Sequence, residues 1–148
     1  MLQVAHIREN KEVYMEALKK RNFEAETIFG EVLQLDEERR STQAELDNTL
    51  AESNRLSKEI GMLFKSGEHE KANTVKKQTG DLKEKSKELS EKLNEVSAKL
   101  TEILYTIPNI PHPSVPAGKD EEDNEEIFKE GDIPVLAEGS LPHWEFAE

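Results

Sequence analysis

The stretch "LFKSGEHEKA", from Leu63 to Ala72, decides the fold because it separates two long helical patterns by a turn. Within it, Lys65-Ser66-Gly67-Glu68 is a turn signal, since glycine adopts backbone conformations that other residues avoid. On both sides, apolar or small residues recur at alternating spacings of four and three, which is a heptad repeat. Two such helices joined by a short turn must fold back antiparallel.

The heptad repeat defines a seam on each helix. The first seam contains Ile28, Val32, Leu35, Arg39, Thr42, Leu46, Thr49, Ser53, Leu56, Ile60 and Leu63. The second contains Ala72, Val75, Thr79, Leu82, Ser86, Leu89, Leu93, Val96, Leu100, Ile103 and Ile107. The predicted fold class is all-α: a long antiparallel two-helix coiled-coil hairpin, roughly 55–60 Å long at about 1.5 Å per residue.

Opposite charges beside the seam indicate how the two helices pair. With the turn centred near Gly67, three glutamates of the first helix each face a lysine of the second. The predicted pairs are Glu38 with Lys99, Glu45 with Lys92, and Glu52 with Lys85. Each exposed pair contributes under about 1 kcal/mol, so the pairs mainly specify register. Arg39 does not suit a seam, and we expect its charged end to extend toward solvent.

Residues 1–107 are predicted to form one helical arm. Its elements are a short helical cap over residues 1–22 and hairpin helices over about 25–64 and 69–106. Asn10 is the predicted N-cap of the cap helix, and Asn22 is its predicted left-handed stop. The second hairpin helix has to end before Pro108, because a residue preceding proline is disfavoured in the helical conformation.

Residues 108–148 are predicted to form an extended linker that is first proline-rich and then acidic. Four prolines hold its first part in an extended strap of limited freedom. Short strands are predicted at Glu125–Glu130 and Ile133–Leu136 around a glycine turn. Trp144 is predicted to anchor the linker on a further domain, and we expect the chain to be part of a longer protein.

Composition excludes several classes of protein. Of 148 residues, 34% are hydrophobic and 35% are charged, so the chain can bury a narrow seam but no large globular core. It has no cysteine, its four histidines form no ligand pattern, and we expect no metal site. It contains no long apolar run and no secretory signal, so we expect a cytoplasmic protein.

Charge is unevenly distributed along the chain. The net charge is −12, but residues 53–93 hold 10 Lys+Arg against 7 Asp+Glu. The flanking segments, 1–52 and 94–148, are both acidic. A basic middle in an acidic chain indicates a local surface for an anionic partner.

Several stretches resemble one family. They are "HIRENKE" and "EALKKRN" near the start, "LDEERR" at 35–40, "LSKEIG" at 56–61, "TIPNIPHPSVPAGKDEEDN" at 106–124, and "PHWE" at 142–145. The chain resembles the N-terminal tRNA-binding domain of bacterial seryl-tRNA synthetase, a long-arm helical hairpin. The 106–124 stretch is the most specific of these matches. Pro113, where the family often has a polar residue, and "EFAE" after Trp144 depart from the pattern.

The resemblance implies a class II aminoacyl-tRNA synthetase that activates serine with ATP and Mg²⁺ and transfers it to serine tRNA. A separate C-terminal catalytic domain does this chemistry, so the present chain should hold no cofactor and be inactive alone. The hairpin would hold the long variable arm of serine tRNA. The resemblance also implies a homodimeric parent enzyme, with this fragment a possible monomer, and no membrane or DNA partner.

One flank of the seam is the candidate RNA surface. Lys76 and Lys83 are predicted to face Ser57 and Leu50, so they have no carboxylate opposite. Arg55, Lys58, Lys65 and Lys77 extend this patch, and Gly61 and Gly80 would let an RNA backbone approach closely. We expect recognition by the shape of the RNA arm rather than by base reading.

Two alternatives stay open. Any single lysine on an exposed coiled-coil face is more often a solubility device, and the two glycines would also serve bending or closer helix packing. The whole chain is alternatively a coiled-coil protein-interaction or chaperone-like hairpin without RNA binding. Such a hairpin would expose apolar residues near its tip, where the sequence has Met62, Leu63 and Phe64.

Overall fold

The computed structural model describes residues 1–132, 134–141 and 145. Its four α-helices are α1 (Val4–Glu9), α2 (Lys11–Lys19), α3 (Glu26–Lys65) and α4 (His69–Thr106). α3 and α4 pack against each other as a hairpin, and the described residues contain no strand. The predicted all-α helical hairpin is confirmed. Its division into an arm and a linker toward a further domain stays a prediction.

The turn between α3 and α4 forms at the predicted glycine. Gly67 has a φ of +79°, in the left-handed region. Its N–H donates to the Phe64 carbonyl at 3.3 Å, and the Glu68 N–H donates to the Leu63 carbonyl at 3.0 Å. This pair of bonds is a Schellman motif, which satisfies the last carbonyls of α3 while the chain reverses.

The predicted seam residues face the inside of the hairpin. Those that are buried are Val32, Thr42, Leu46, Thr49, Ser53 and Leu56 on α3, and Ala72, Thr79, Val96 and Leu100 on α4. The hydroxyls of Thr49 and Thr79 donate to carbonyls one turn back in their own helices, at 2.8 and 2.9 Å. These two hydroxyls are thus satisfied within their own helices, without bonds across the hairpin.

The ion pairs across the hairpin differ from the predicted ones. Lys85 Nζ lies 2.7 Å from Glu45 Oε1, and Lys92 Nζ lies 2.9 Å from Glu38 Oε1. Each lysine therefore binds the glutamate one heptad earlier in α3 than predicted. The heptad repeat places equivalent charges at both offsets, so the charge pattern alone cannot choose between them.

The other predicted partners are also reassigned. Glu52, expected to face Lys85, is bound instead by Arg55 within α3, with Arg55 Nη2 2.6 Å from its Oε1. Lys99 has no ion-pair partner in the part of the chain that the structure describes. An arginine one turn away competes well for a glutamate because the pair forms within one helix.

The hydrophobic core lies at the base of the hairpin, where buried residues of α1 and α2 form one cluster with residues of α3 and α4. Its fully buried side chains are Ile7, Leu18, Phe29 and Val32. Leu100 and Leu104 complete it from α4. Burying a side chain of this size stabilises by about 1.5–3 kcal/mol, so the cap is a structural part of the arm.

The cap differs in detail from the predicted single helix. It is split into α1 and α2 at Asn10, which occupies the predicted N-cap position of α2 but makes no side-chain capping bond there. Its Nδ2 donates instead to the His6 carbonyl in the last turn of α1, at 3.2 Å. Asn22 has a φ of +53°, which confirms the predicted left-handed stop. Asparagine tolerates this conformation better than most residues.

A buried carboxylate joins the cap to α3. Asp36 has a side chain that is 4% exposed, and it receives Arg8 Nη1 at 3.0 Å and Arg39 Nη2 at 2.8 Å. Arg40 is more distant, with Nη1 4.0 Å from Asp36. The sequence predicted that the charged end of Arg39 extends toward solvent. In the structure, this guanidinium instead partly neutralises the buried Asp36 carboxylate.

The proline strap follows the end of α4 and is tied to the cap. α4 ends at Thr106, and Ile107 is extended before Pro108, as predicted. Lys20 Nζ donates to the carbonyls of Pro113 and Val115 at 2.7 and 3.1 Å. Arg21 binds Asn109 O at 2.9 Å, and Asn22 binds Gly118 O at 2.9 Å. These bonds set the direction in which the chain leaves the arm.

The tail does not form the predicted strands. Residues 125–132 and 134–141 have no regular secondary structure, and Ile127 and Val135 are 89% and 99% exposed. A strand needs a partner for its backbone groups, and the described residues supply none. Ile133 and Trp144 lie outside the described residues. None of the helices in the described part of the chain has the length and apolar character of a membrane span.

Candidate nucleic-acid interface

The cations of the basic segment 53–93 divide into two sets. One set has carboxylate partners: Arg55, Lys71, Lys85, Lys87 and Lys92. The other set is exposed and has no ion-pair partner among the described residues: Lys58, Lys65, Lys76, Lys77 and Lys83. The second set carries the positive charge that remains available to an external anion.

The paired set shows the electrostatic effect of its contacts. The hydrogen bond from Arg55 lowers the pKa of Glu52, and the bond from Lys85 lowers the pKa of Glu45. In the same way, the bond to Glu38 raises the pKa of Lys92. These cations are committed to their partners, which favours a structural role for Lys85 and Lys92, as the sequence predicted.

Acidification is expected to destabilise the wild-type chain more than a Lys85→Met variant. Because Lys85 holds the pKa of Glu45 below its ordinary 4.5, the unfolded state binds a proton at this site more readily. The stabilisation from the pair is therefore present above pH 4.5 and is lost as the pH falls through the lowered pKa. The measurement is the melting temperature of both chains between pH 7 and about 3.

The matched control for this prediction is Lys58→Met, which removes an exposed lysine that has no partner in the described chain. The difference in melting temperature between wild type and Lys85→Met should become smaller in acid. The difference between wild type and Lys58→Met should not change with pH. The effect is small because both members of the pair are exposed. A Lys85→Met difference that stays constant from neutral to acid pH contradicts the prediction.

Two of the unpaired lysines border one groove between the helices. Lys76 and Lys83 line its α4 side, with Gly80 between them. Ser57 and Phe64 line its α3 side, and Ile60 and Thr79 complete the lining. The groove has a volume of about 450 Å³. It is open to solvent on the hairpin flank and carries no carboxylate in its lining.

The two glycines have open space around them. A Cβ added at Gly61 or Gly80 would meet no atom within 4 Å outside its own helix. Closer packing of α3 and α4 therefore does not require either glycine, which excludes one of the three explanations that the sequence left open. Helix bending and close approach of a ligand backbone remain as explanations. Either benefit would have to offset the cost of a glycine in a helix interior, which is about 1 kcal/mol relative to alanine.

The structure brings together only part of the predicted surface. Lys76, Lys83 and Gly80 share the groove, while Lys58, Lys65, Lys77 and Gly61 lie on the exposed surface outside its lining. Arg55 is the predicted residue least available to RNA, because it binds both Glu52 and Glu59. The assignment of these residues to RNA stays a prediction.

Sequence reasoning missed Phe64 as a groove residue. The signal was present, because Ser57 and Phe64 are one heptad apart and therefore lie on one face of α3. From the sequence alone, the tip was a possible protein-binding feature and the lysine flank was a separate surface. In the structure, the aromatic ring and the two lysines border the same groove.

Comparisons with known proteins find relatives of this helical hairpin. The seryl-tRNA synthetase N-terminal domain profile matches residues 1–111. The serine–tRNA ligase of Salinibacter ruber is 37% identical over 148 residues, which is all of this chain and 35% of the relative. That of Caldicellulosiruptor saccharolyticus is 47% identical over 148 residues and is covered to 34%. The chain thus spans about a third of the length of the curated relatives it matches.

A solved structure agrees with the sequence comparisons. It is the crystal structure of seryl-tRNA synthetase from Pyrococcus horikoshii complexed with ATP. The match has a TM-score of 0.73 and 36% identity, and it covers 84% of this chain and 28% of the other. The resemblance that the sequence motifs indicated is confirmed: the chain belongs to the seryl-tRNA synthetase N-terminal domain family.

Proposed function

We propose that this chain is the tRNA-binding arm of a serine–tRNA ligase, a class II aminoacyl-tRNA synthetase. It positions serine tRNA, through the long variable arm of the RNA, for ATP-dependent serylation by a catalytic domain elsewhere in the protein. ATP, Mg²⁺ and the dimer contacts belong to that catalytic domain, so this chain alone does not serylate tRNA. The observation that carries the proposal is the open groove of Lys76, Gly80 and Lys83 on a family-matched hairpin.

The geometry of the groove suits the backbone of an RNA arm. Lys76 and Lys83 are about two helical turns apart, so they lie on the same side of α4 with their backbones separated by roughly 10 Å along the helix axis. Flexible lysines bind phosphate as point charges and read no base sequence. An RNA arm would therefore be recognised by where its phosphates lie, which is a property of its shape.

The test is binding of serine tRNA to the 148-residue chain across a series of salt concentrations, beside the same tRNA with its variable arm deleted. We expect salt-dependent binding to the complete tRNA, because phosphate contacts release counterions, and much weaker binding to the deleted one. Equal binding to both RNAs would show general electrostatic attraction. Absence of binding at low salt would overturn the proposal for the isolated arm and favour the protein-interaction hairpin.

A further inference from the structure

The ring of Phe64 is exposed at the tip end of the groove. The residue is 44% exposed although it is aromatic and lies in the last turn of α3. Its nearest aromatic neighbour is His69, with ring centroids 5.7 Å apart and planes inclined by 56°. The inclined contact supports the ring from one side without stacking on it. Burial in the hairpin therefore does not explain this phenylalanine.

The surroundings of Phe64 match the chemistry of a nucleotide. A nucleotide presents a flat apolar base beside a charged phosphate, and the groove presents an aromatic ring beside Lys76 and Lys83. Bases that are not paired commonly stack on aromatic side chains in complexes with RNA. Gly80 leaves open space between the lysines, so a sugar–phosphate backbone meets no side chain there.

We propose that Phe64 is a positioning residue that stacks on one unpaired nucleobase of the RNA whose phosphates bind Lys76 and Lys83. This inference rests on the proposed function, and it adds a specific contact to a surface otherwise made of phosphate contacts. An RNA ligand explains the lysines and the ring together, whereas an apolar protein segment explains only the ring. Met62 is also exposed at the tip, at 64%, but it does not line the groove.

The experiment compares Phe64→Leu with wild type for binding to serine tRNA, each across the same salt series. Leucine keeps an apolar side chain but removes the stacking face. We expect affinity to fall about tenfold, within the range that one base–aromatic stack supplies. The slope of log affinity against log salt should not change, because no phosphate contact is lost. Phe128→Leu is the matched control, since this phenylalanine is 74% exposed on the tail.

A second variant reports on stacking directly. Phe64→Trp, made in a Trp144→Phe background, leaves one indole at the site, and its fluorescence should be quenched when the RNA binds. Unchanged affinity in Phe64→Leu, or a changed salt slope, would overturn the stacking contact. The stacking contact would also be overturned if the melting temperature of Phe64→Leu fell so far that unfolding of the variant explained its lost affinity. These outcomes differ from failure of the proposed function, which would appear as absence of binding by the wild-type chain itself.

Discussion

Reversing the charge of Lys76 and Lys83 together is expected to weaken binding of serine tRNA by at least about a hundredfold at about 0.1 M salt. Each lysine that binds a phosphate releases counterions, so its loss lowers both the affinity and its salt dependence. Glutamate in its place also repels the phosphate. The plot of log affinity against log salt should become less steep by about two units of slope, one for each lost contact. The measurement is a salt titration of binding by the double Lys→Glu variant.

The matched control is Lys119→Glu/Lys129→Glu, which changes the net charge by the same amount on the tail. If the groove binds the RNA, the control should lose far less affinity than the groove variant. Equal losses would mean that the overall charge of the chain governs binding and that the groove has no special role. Neither groove lysine has an ion-pair partner in the described structure, so the reversal breaks no salt bridge of the fold.

The hairpin could be predicted from sequence because its determinants are local. The heptad spacing repeats through both long helices, and Gly67 marks their junction with a positive φ. The end of α4 follows from Pro108 in the same way. In each case a few neighbouring residues determine the backbone, so no knowledge of distant contacts was needed.

Contacts between distant parts of the chain were not predictable in this way. Lys20 binds strap carbonyls that are 93 and 95 residues away, and Arg8 binds Asp36 28 residues away. The predicted ion pairs across the hairpin were wrong for a related reason. A heptad repeat presents the same charges after a shift of one heptad, so the sequence does not distinguish the two pairings. Composition showed which charges the molecule has, and only the packed structure shows which of them meet.

The candidate site was predictable as a charge pattern and not as a groove. Lys76 and Lys83 were identified because the proposed register placed no carboxylate opposite them. Phe64 was missed although its one-heptad spacing from Ser57 places both residues on the same face of α3, because the tip and the lysine flank were interpreted as separate surfaces. Arg55 was included in the predicted RNA surface because it lies in the basic segment 53–93. In the structure, Glu52 and Glu59 bind its guanidinium. Net charge along a segment therefore overstates how much of it is available to a ligand.

Removing both Arg8 and Arg39 is expected to destabilise the fold by about 3–5 kcal/mol, whereas Asp36→Leu should cost only about 1 kcal/mol. The Asp36 side chain is 4% exposed, so an Arg8→Met/Arg39→Met variant leaves a buried carboxylate with only the distant Arg40 nearby. The arginines are 44% and 38% exposed, so they can be hydrated again when the aspartate is replaced. The measurement is the free energy of unfolding in urea.

The order of the two effects is the informative result, because a simple count of lost ion pairs predicts the opposite. Asp36→Leu removes every contact in the cluster, whereas the double arginine variant leaves the one to Arg40. If burial of the charge dominates, the variant that keeps the charge is the less stable one. Arg40→Met is the control and should change stability by under about 0.5 kcal/mol. A larger loss in Asp36→Leu would mean that the ion pairs themselves hold the cap on α3.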